Sequence, residues 1–382
     1  MRQSNSSNAV RCVAAAAPRA GGRAPACKLS ALAARVAPVL GHQGLACSPM
    51  GINGLKGELT HEVIDAWQYL QCGRATKSRK CVIDASNPLH LCAVRHPKQN
   101  FIADHRPAMG DWRRMLEGCI ARNLDFSMVF DGGRNPRKIN ESLRRSATKE
   151  KAIDVIQAKL DANQEPTLSD YTAAVQVTGM MTLMAVKVCR DMGVAFVVAY
   201  EEADPHLAAA GCPVISADTD MLALGVAEWI APEPGFWYTG KAKLYRPDSW
   251  VGTGFDAVYK QHGARGFQYA GALLGNDFTE LACGVYGLGP LAVVKILTMV
   301  PAAVLNGATI VATLTTELSA DAPELRRMRT EEREALASAD GCRLLAESLD
   351  SAVGAYVLAP SYMPDASVQV AAVGMRHTSQ SC

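Results

Sequence analysis

Phe126-Ser127-Met128-Val129-Phe130-Asp131 reads as a short buried strand closed by an acid, and this reading decides the fold class. A nearly unbroken apolar run, without polar alternation, fits a strand covered on both faces, as in a parallel sheet. Three further stretches end in acids in the same way. They are Val82-Ile83-Asp84, then Glu202-Ala203-Asp204 with Asp218-Thr219-Asp220, and Leu273-Leu274-Gly275-Asn276-Asp277. Together they supply seven carboxylates: Asp84, Asp131, Glu202, Asp204, Asp218, Asp220 and Asp277. Gathered at one sheet edge, these would repel each other strongly unless something cationic sat among them. A divalent metal is the simplest such cation.

Around these stretches the pattern alternates strand and helix. Lys80 to Ala85 reads as a buried strand, and Phe126 to Phe130, Ala195 to Ala199 and Pro213 to Ser216 as further strands. Leu59 to Leu70, Asp111 to Ala121, Thr182 to Met192, Leu207 to Ala210 and Phe267 to Leu274 carry helical spacing. Phe236 to Leu244 alternates about Thr239-Gly240 and predicts a hairpin. The expected fold class is α/β, with a mostly parallel central sheet flanked by helices. Four regions are expected: a basic leader over 1–49, a core over 50–230, its remainder over 231–300, and a helical or poorly ordered region over 301–382.

The chain has 382 residues, 49% of them hydrophobic and 20% charged, enough for one large core or two modest ones. No apolar stretch reaches the ~18 residues needed to span a bilayer, so a soluble protein without membrane contact is expected. Its 12 cysteines form no C-x-x-C pair and read as reduced thiols, with a disulfide framework or zinc site as the alternative. Residues 1–49 contain Arg2, Arg11, Arg19, Arg23, Lys28 and Arg35 and no acid, leaving 33 basic against 37 acidic residues elsewhere. The leader suits an organellar transit peptide, a disordered tail, or sequence upstream of the true start at Met50-Gly51. The slightly acidic remainder must concentrate positive charge locally to bind nucleic acid.

Five motifs in order resemble those of the XPG/flap-endonuclease family of structure-specific 5′ nucleases. Met50-Gly51-Ile52-Asn53-Gly54-Leu55 is similar to its M-G-I-x-G-L start. Val129-Phe130-Asp131-Gly132 matches V-F-D-G, with Pro136, Lys138, Glu141 and Arg145 at the family offsets. Tyr200-Glu201-Glu202-Ala203-Asp204 resembles the Y-E-A-D of exonuclease-1-type members. Ser216-Ala217-Asp218-Thr219-Asp220 resembles S-x-D-x-D, and Leu274-Gly275-Asn276-Asp277-Phe278 with Gly287-Leu288-Gly289-Pro290 resembles L-G-x-D-Y…G-I-G-P. The resemblance covers roughly residues 50–300.

The resemblance implies a PIN-like 5′ nuclease fold with a C-terminal helix–two-turn–helix element. It also implies hydrolysis of DNA by two Mg²⁺ ions, with Mn²⁺ able to substitute, in repair or replication. Paired ions activate water and stabilise the leaving oxygen, and hard ions want oxygen ligands. By family correspondence Asp84, Asp131, Glu202 and Asp204 surround one metal, and Asp218, Asp220 and Asp277 the second. One or two of these acids could instead cap helices. Glu202 is favoured over Glu201 as the ligand, leaving Glu201 exposed. Lys138 and Arg145 are the implied catalytic cations, against the alternative of a solvated helix face that suits Arg144, Lys149 and Lys151. Gly51, Gly287, Leu288 and Gly289 would contact DNA, with K⁺ at the last three. In the family the mature chain begins at the glycine matching Gly51, so residues 1–50 are expected to be removed or never made.

Two departures bear on substrate. The arch expected between Gln157 and Val186 has only Lys159 and Lys187 in or beside it. The interval from Asp277 to Gly289 is longer than the family pattern. The expected substrates are branched, nicked or flapped duplex DNA, cut as a 5′-to-3′ exonuclease or a flap endonuclease. No sliding-clamp-binding box precedes Cys382. A catalytically weak relative binding RNA or protein is the alternative, and Gly275-Asn276-Asp277-Phe278 also resembles the G-N-D-F of 5′-to-3′ exoribonucleases. The nucleus is the implied compartment, or a mitochondrion or plastid if the leader is a transit peptide.

Overall fold

The computed structural model describes residues 52, 55, 59–71, 79–133, 138–250, 252, 254–275, 285, 288–319 and 330–358. Asp277, Gly51 and Gly287, like the leader, lie outside the described residues.

Seven strands make one sheet: β1 (Glu62–Asp65), β2 (Cys81–Asp84), β3 (Phe126–Phe130), β4 (Ala195–Val198), β5 (Val214–Ile215), β6 (Trp229–Pro232) and β7 (Lys241–Tyr245). Their order is β1-β7-β6-β5-β2-β3-β4. Strands β6, β5, β2, β3 and β4 run parallel. Strand β7 lies antiparallel between β6 and β1. This is the mostly parallel, helix-flanked α/β sheet that the apolar runs predict.

Alternate residues of the central strands feed opposite faces, as the pleat requires. Val82, Val129, Val214 and Trp229 point to a core shared with Phe255, Phe267, Ile296 and Leu349. Ile83, Phe126, Met128, Phe130, Ile215 and Ile230 point to the other, packed by Trp112, Leu116 and Met181. The first core draws on residues from Ile52 to Tyr356, including Ile310, Leu314, Leu349 and Val353 from the helices Gly307–Ser319 and Ala339–Leu358. The charged stretch after Arg134 contains the helix Ile139–Asp161. Its Ile156 joins Tyr171 and Ala174 in a small separate cluster.

Two local expectations change. Leu59 to Leu70 is not one helix: Glu62–Asp65 pairs with β7 as a strand, and only Ala66–Gln71 is helical. Asp65 turns the chain by accepting from the Trp67 and Gln68 amides. The hairpin around Thr239-Gly240 is built instead from β6 and β7, with a helical turn Phe236–Thr239 in the connection. Gly235 and Gly240 take left-handed φ of 79° and 74° at its two ends, a conformation that glycine adopts without steric cost. Among the described residues no helix is long and apolar enough to cross a membrane. Cys81, Cys92, Cys119, Cys189, Cys212 and Cys342 are free thiols.

Candidate active site

From β2 the chain winds through β3 and β4 to one side, then returns to place β5 and β6 on the other. Such a reversal leaves a crevice at the carboxyl ends of the strands, where open α/β sheets bind ligands. Every described acid of the predicted set lies at that edge. Asp84 ends β2 and Asp131 follows β3. Glu202 and Asp204 follow β4, and Asp218 and Asp220 follow β5.

Local turn chemistry fixes these carboxylates. Asp84 accepts from the Ser86 amide at 2.9 Å and from Ser216 Oγ at 3.0 Å. Asp131 accepts from Ser86 Oγ, and its other oxygen takes the Ala203 amide at 2.8 Å. The Asp218 amide donates to Ser216 Oγ at 3.1 Å, and the Asp220 amide to Asp218 Oδ1 at 3.0 Å. Ser86 and Ser216 thus stitch the ends of β2, β3 and β5 together. Asp84 does hold the amide at the start of the following helix, as a capping acid would, while the hydroxyl of Ser86 reaches across to Asp131, a contact that nothing in the sequence signals.

Gly132 explains the glycine after Asp131. Its amide donates to the Glu201 carbonyl at 2.6 Å, and the Gly133 amide to the Tyr200 carbonyl at 2.8 Å. A Cβ at Gly132 would sit 1.8 Å from the Ala199 carbonyl oxygen. The absent side chain lets the segment after β3 lie against the one that carries Glu202. Thr219, between the two β5 acids, accepts the Ile52 amide at 2.6 Å, so the residue after Gly51 is fastened beside the site.

Lys138 places a cation within the acidic group. It caps the helix Ile139–Asp161, and its Nζ lies 2.8 Å from Glu202 Oε2 and 3.7 Å from Asp204 Oδ2. Burial opposes its charge, but Asp204, Glu202 and Asp220 prevail and hold its pKa above the ordinary lysine value. Burial, then the neighbouring Asp131 charge, pushes the Asp84 carboxyl up to about 7. Asp204 is also raised, by burial against the opposing pull of Lys138. The short contact of Lys138 is to Glu202, and Asp204 stands beyond hydrogen-bond reach of it. Arg145 lies two turns along the same helix, half-buried. It contributes, after burial, to lowering the pKa of Lys149, which is half-buried and not on a freely solvated face. Glu201 is likewise half-buried, not exposed.

Among the described residues no group of three or more His, Cys, Asp or Glu side chains is arranged to hold a metal ion directly. Several of the carboxylate oxygens are turned toward serine hydroxyls, backbone amides and Lys138. Leu288 is buried, and Gly289 precedes the helix Pro290–Met299 with open space where a Cβ would stand. In the stretch where the resemblance implies an arch, Lys159 is paired with Asp170 at 2.6 Å and Lys187 with Asp191 at 2.5 Å.

Similar folds occur among solved nucleases. The Rad2 catalytic core in complex with DNA substrate is 17% identical with a TM-score of 0.44, over 81% of this chain and 80% of that one. The Holliday junction-resolving enzyme GEN1 in complex with product DNA and Mg²⁺ is 14% identical with a TM-score of 0.47, over 82% and 69%. Flap endonuclease-1 from Methanococcus jannaschii is 15% identical with a TM-score of 0.45, over 79% and 99%. No family model and no curated protein matches the chain.

Proposed function

We propose that this chain is a Mg²⁺-dependent nuclease that hydrolyses phosphodiester bonds in branched, nicked or flapped DNA from a 5′ end. One observation carries the reading. Six acids from four adjacent parallel strand ends, Asp84, Asp131, Glu202, Asp204, Asp218 and Asp220, share one edge with a charged lysine among them. That arrangement is costly for stability alone, because two of the carboxyls are driven toward protonation where they sit.

The donor set is hard oxygen throughout, which suits Mg²⁺, and that ion keeps several waters and takes one or two carboxylates directly. Without a ready-made chelate of three acids, the described residues fit an ion held largely through water. Asp84, Asp131, Glu202 and Asp204 would hold one ion, and Asp218 and Asp220 a second with Asp277. Bound there, the metal would ease ionisation of a water and stabilise the leaving oxygen. The protein's own part is to fix the acids by Ser86 and Ser216, and to keep Lys138 charged where a phosphate oxygen would arrive. Lys138, with Arg145 along the same helix, offsets charge that grows on the phosphate. Leu288 and Gly289, with Gly51, Gly287 and K⁺, would grip duplex backbone.

The paired state of Lys159 and Lys187 supports cutting at a 5′ end or nick over threading a long free flap. The 5′-to-3′ exonuclease reading is therefore preferred to the flap endonuclease, in the nucleus or, with the leader as transit peptide, in an organelle. A second reading is a weak or inactive nuclease-fold protein that binds RNA or a protein partner. The ion pair that engages Glu202 favours it. Incubating the chain with 5′-flap, nicked, blunt duplex and single-stranded RNA substrates, with and without Mg²⁺, separates the two. Mg²⁺-dependent DNA cleavage supports the enzyme; none on any DNA rejects it.

A further inference from the structure

We propose that Tyr356 is a positioning residue for Asp220, which makes the C-terminal helix Ala339–Leu358 part of the active site. The inference rests on the nuclease reading above. The Tyr356 hydroxyl donates to Asp220 Oδ1 at 3.3 Å, across 136 residues of chain. Tyr356 is 2% exposed and Asp220 fully buried. The contact is longer than the ~2.7 Å usual between a hydroxyl and an oxygen acceptor. Removed from water, however, a carboxylate that loses a donor suffers far more than an exposed one.

What makes Tyr356 the determinant, and Asp220 the group determined, is how each is anchored. The helix Ala339–Leu358 is seated independently of the acid. Its Leu345, Leu349, Ala352 and Val353 are buried in the core. Its Asp350 accepts from Tyr269 at 2.6 Å and from the Gly307 amide at 2.8 Å. The tyrosine ring therefore has its place before the bond to Asp220 is counted. Asp220, in contrast, opens a helix of four residues, Asp220–Ala223, and its amide is held by Asp218. Backbone is fixed from one side by Asp218, and the carboxylate is steered from the other by a rigid phenol. Groups that orient a metal-binding carboxylate in this way set its affinity without touching the ion.

Two conservative variants test this. Tyr356→Phe keeps the ring and removes only the hydroxyl; Tyr269→Phe removes a hydrogen bond to the same helix away from the acids. For each full-length chain, three quantities are measured: Mg²⁺ binding by titration calorimetry, the Mg²⁺ midpoint for cleavage of nicked DNA, and urea unfolding. Tyr356→Phe is expected to weaken Mg²⁺ binding and raise the midpoint about tenfold or more. Tyr269→Phe is expected to lower stability and leave both Mg²⁺ readouts at the wild-type value. Wild-type Mg²⁺ binding and midpoint in Tyr356→Phe overturn the inference, as do equal shifts in both variants, which mean a purely structural role. An active wild type with an indifferent Tyr356→Phe sinks this inference alone. A wild type that neither binds Mg²⁺ nor cleaves sinks the nuclease reading with it.

Discussion

Lys138 Nζ lies 2.8 Å from Glu202 Oε2, and both side chains are largely buried, at 12% and 17% exposure. The contact joins the start of the helix Ile139–Asp161 to the segment after β4 and places a fixed charge in the acidic group. Removing one partner of such a pair leaves the other buried and uncompensated. Lys138→Ala is expected to cost about 3 kcal/mol in urea unfolding without metal. It is also expected to slow cleavage ~10²-fold or more at saturating Mg²⁺. Unchanged unfolding together with unchanged cleavage would show that Lys138 is a bystander.

Glu201 and Glu202 separate by the same contact. The Glu202 carboxylate meets Lys138, whereas the described role of Glu201 is its backbone carbonyl, which accepts from Gly132. Glu201→Gln should retain cleavage within a few-fold, and Glu202→Gln should lose it. The reverse order in a single-turnover assay would shift the register of the motif by one residue.

Gly132 supplies a steric prediction. With a Cβ 1.8 Å from the Ala199 carbonyl oxygen, Gly132→Ala has to push the segments after β3 and β4 apart. Overpacking of this kind costs about 2 kcal/mol or more. Because the displaced segment carries Glu202, activity should fall further than stability accounts for. A variant with wild-type unfolding and rate would contradict the close approach.

The thiols provide a pH prediction. Burial raises the pKa of Cys92, Cys119 and Cys189 to about 12 and that of Cys81 further. The reactive thiolate is therefore suppressed across neutral pH, and these four should resist alkylation until the protein unfolds. Mass spectrometry after iodoacetamide at pH 8 should find Cys212 and Cys342 modified ahead of them. Early modification of Cys119 or Cys189 would refute the buried cores.

Acid dependence follows from Asp170. Lys159, then Thr167, holds its carboxyl down at about 2, below the ordinary carboxylate. A lowered pKa means the unfolded chain binds more protons in that range, so stability rises with pH there. The contribution of Asp170 is present above about 4 and is lost as pH falls through about 2. Thr167→Ala, which removes the matching cap, should cost about 1 kcal/mol at pH 7. Equal pH profiles for wild type and Asp170→Asn between pH 2 and 5 would argue against this pairing.

Of the strands that carry the acids, β2, β3 and β5 were legible because they are buried on both faces and so read as unbroken apolar runs, whereas β4 is an edge strand whose Val197 and Val198 are exposed although its sequence is equally apolar. β3 runs over Phe126–Phe130 as its sequence indicates. β1 was not legible: Glu62–Asp65 is an edge strand with mostly exposed residues, and its apolar neighbours at Leu59, Ala66, Trp67 and Leu70 mimic a helix face. β6 ends in Pro232, and a proline argues against a strand in the interior of a sheet. Within the site, the acids and Lys138 announced themselves by order and spacing. Tyr356 did not, since nothing local distinguishes a tyrosine that packs in a core from one that reaches an acid 136 residues away.

Acids from separate strand ends are expected to act as one metal-dependent unit. Ser216 Oγ donates to the Asp84 carboxylate at 3.0 Å and accepts the Asp218 backbone amide at 3.1 Å, so one serine seats acids from two strand ends, and these two are the pair to test. The most direct measurement is the single-turnover rate on nicked DNA at saturating Mg²⁺ for Asp84→Asn, Asp218→Asn and the double variant. Each single variant should be slowed ~10²-fold or more, and the double should be scarcely slower than the worse single, because parts of one unit fail together. Rates that fall as the product of the two single effects, or that ignore Mg²⁺ altogether, would contradict the account.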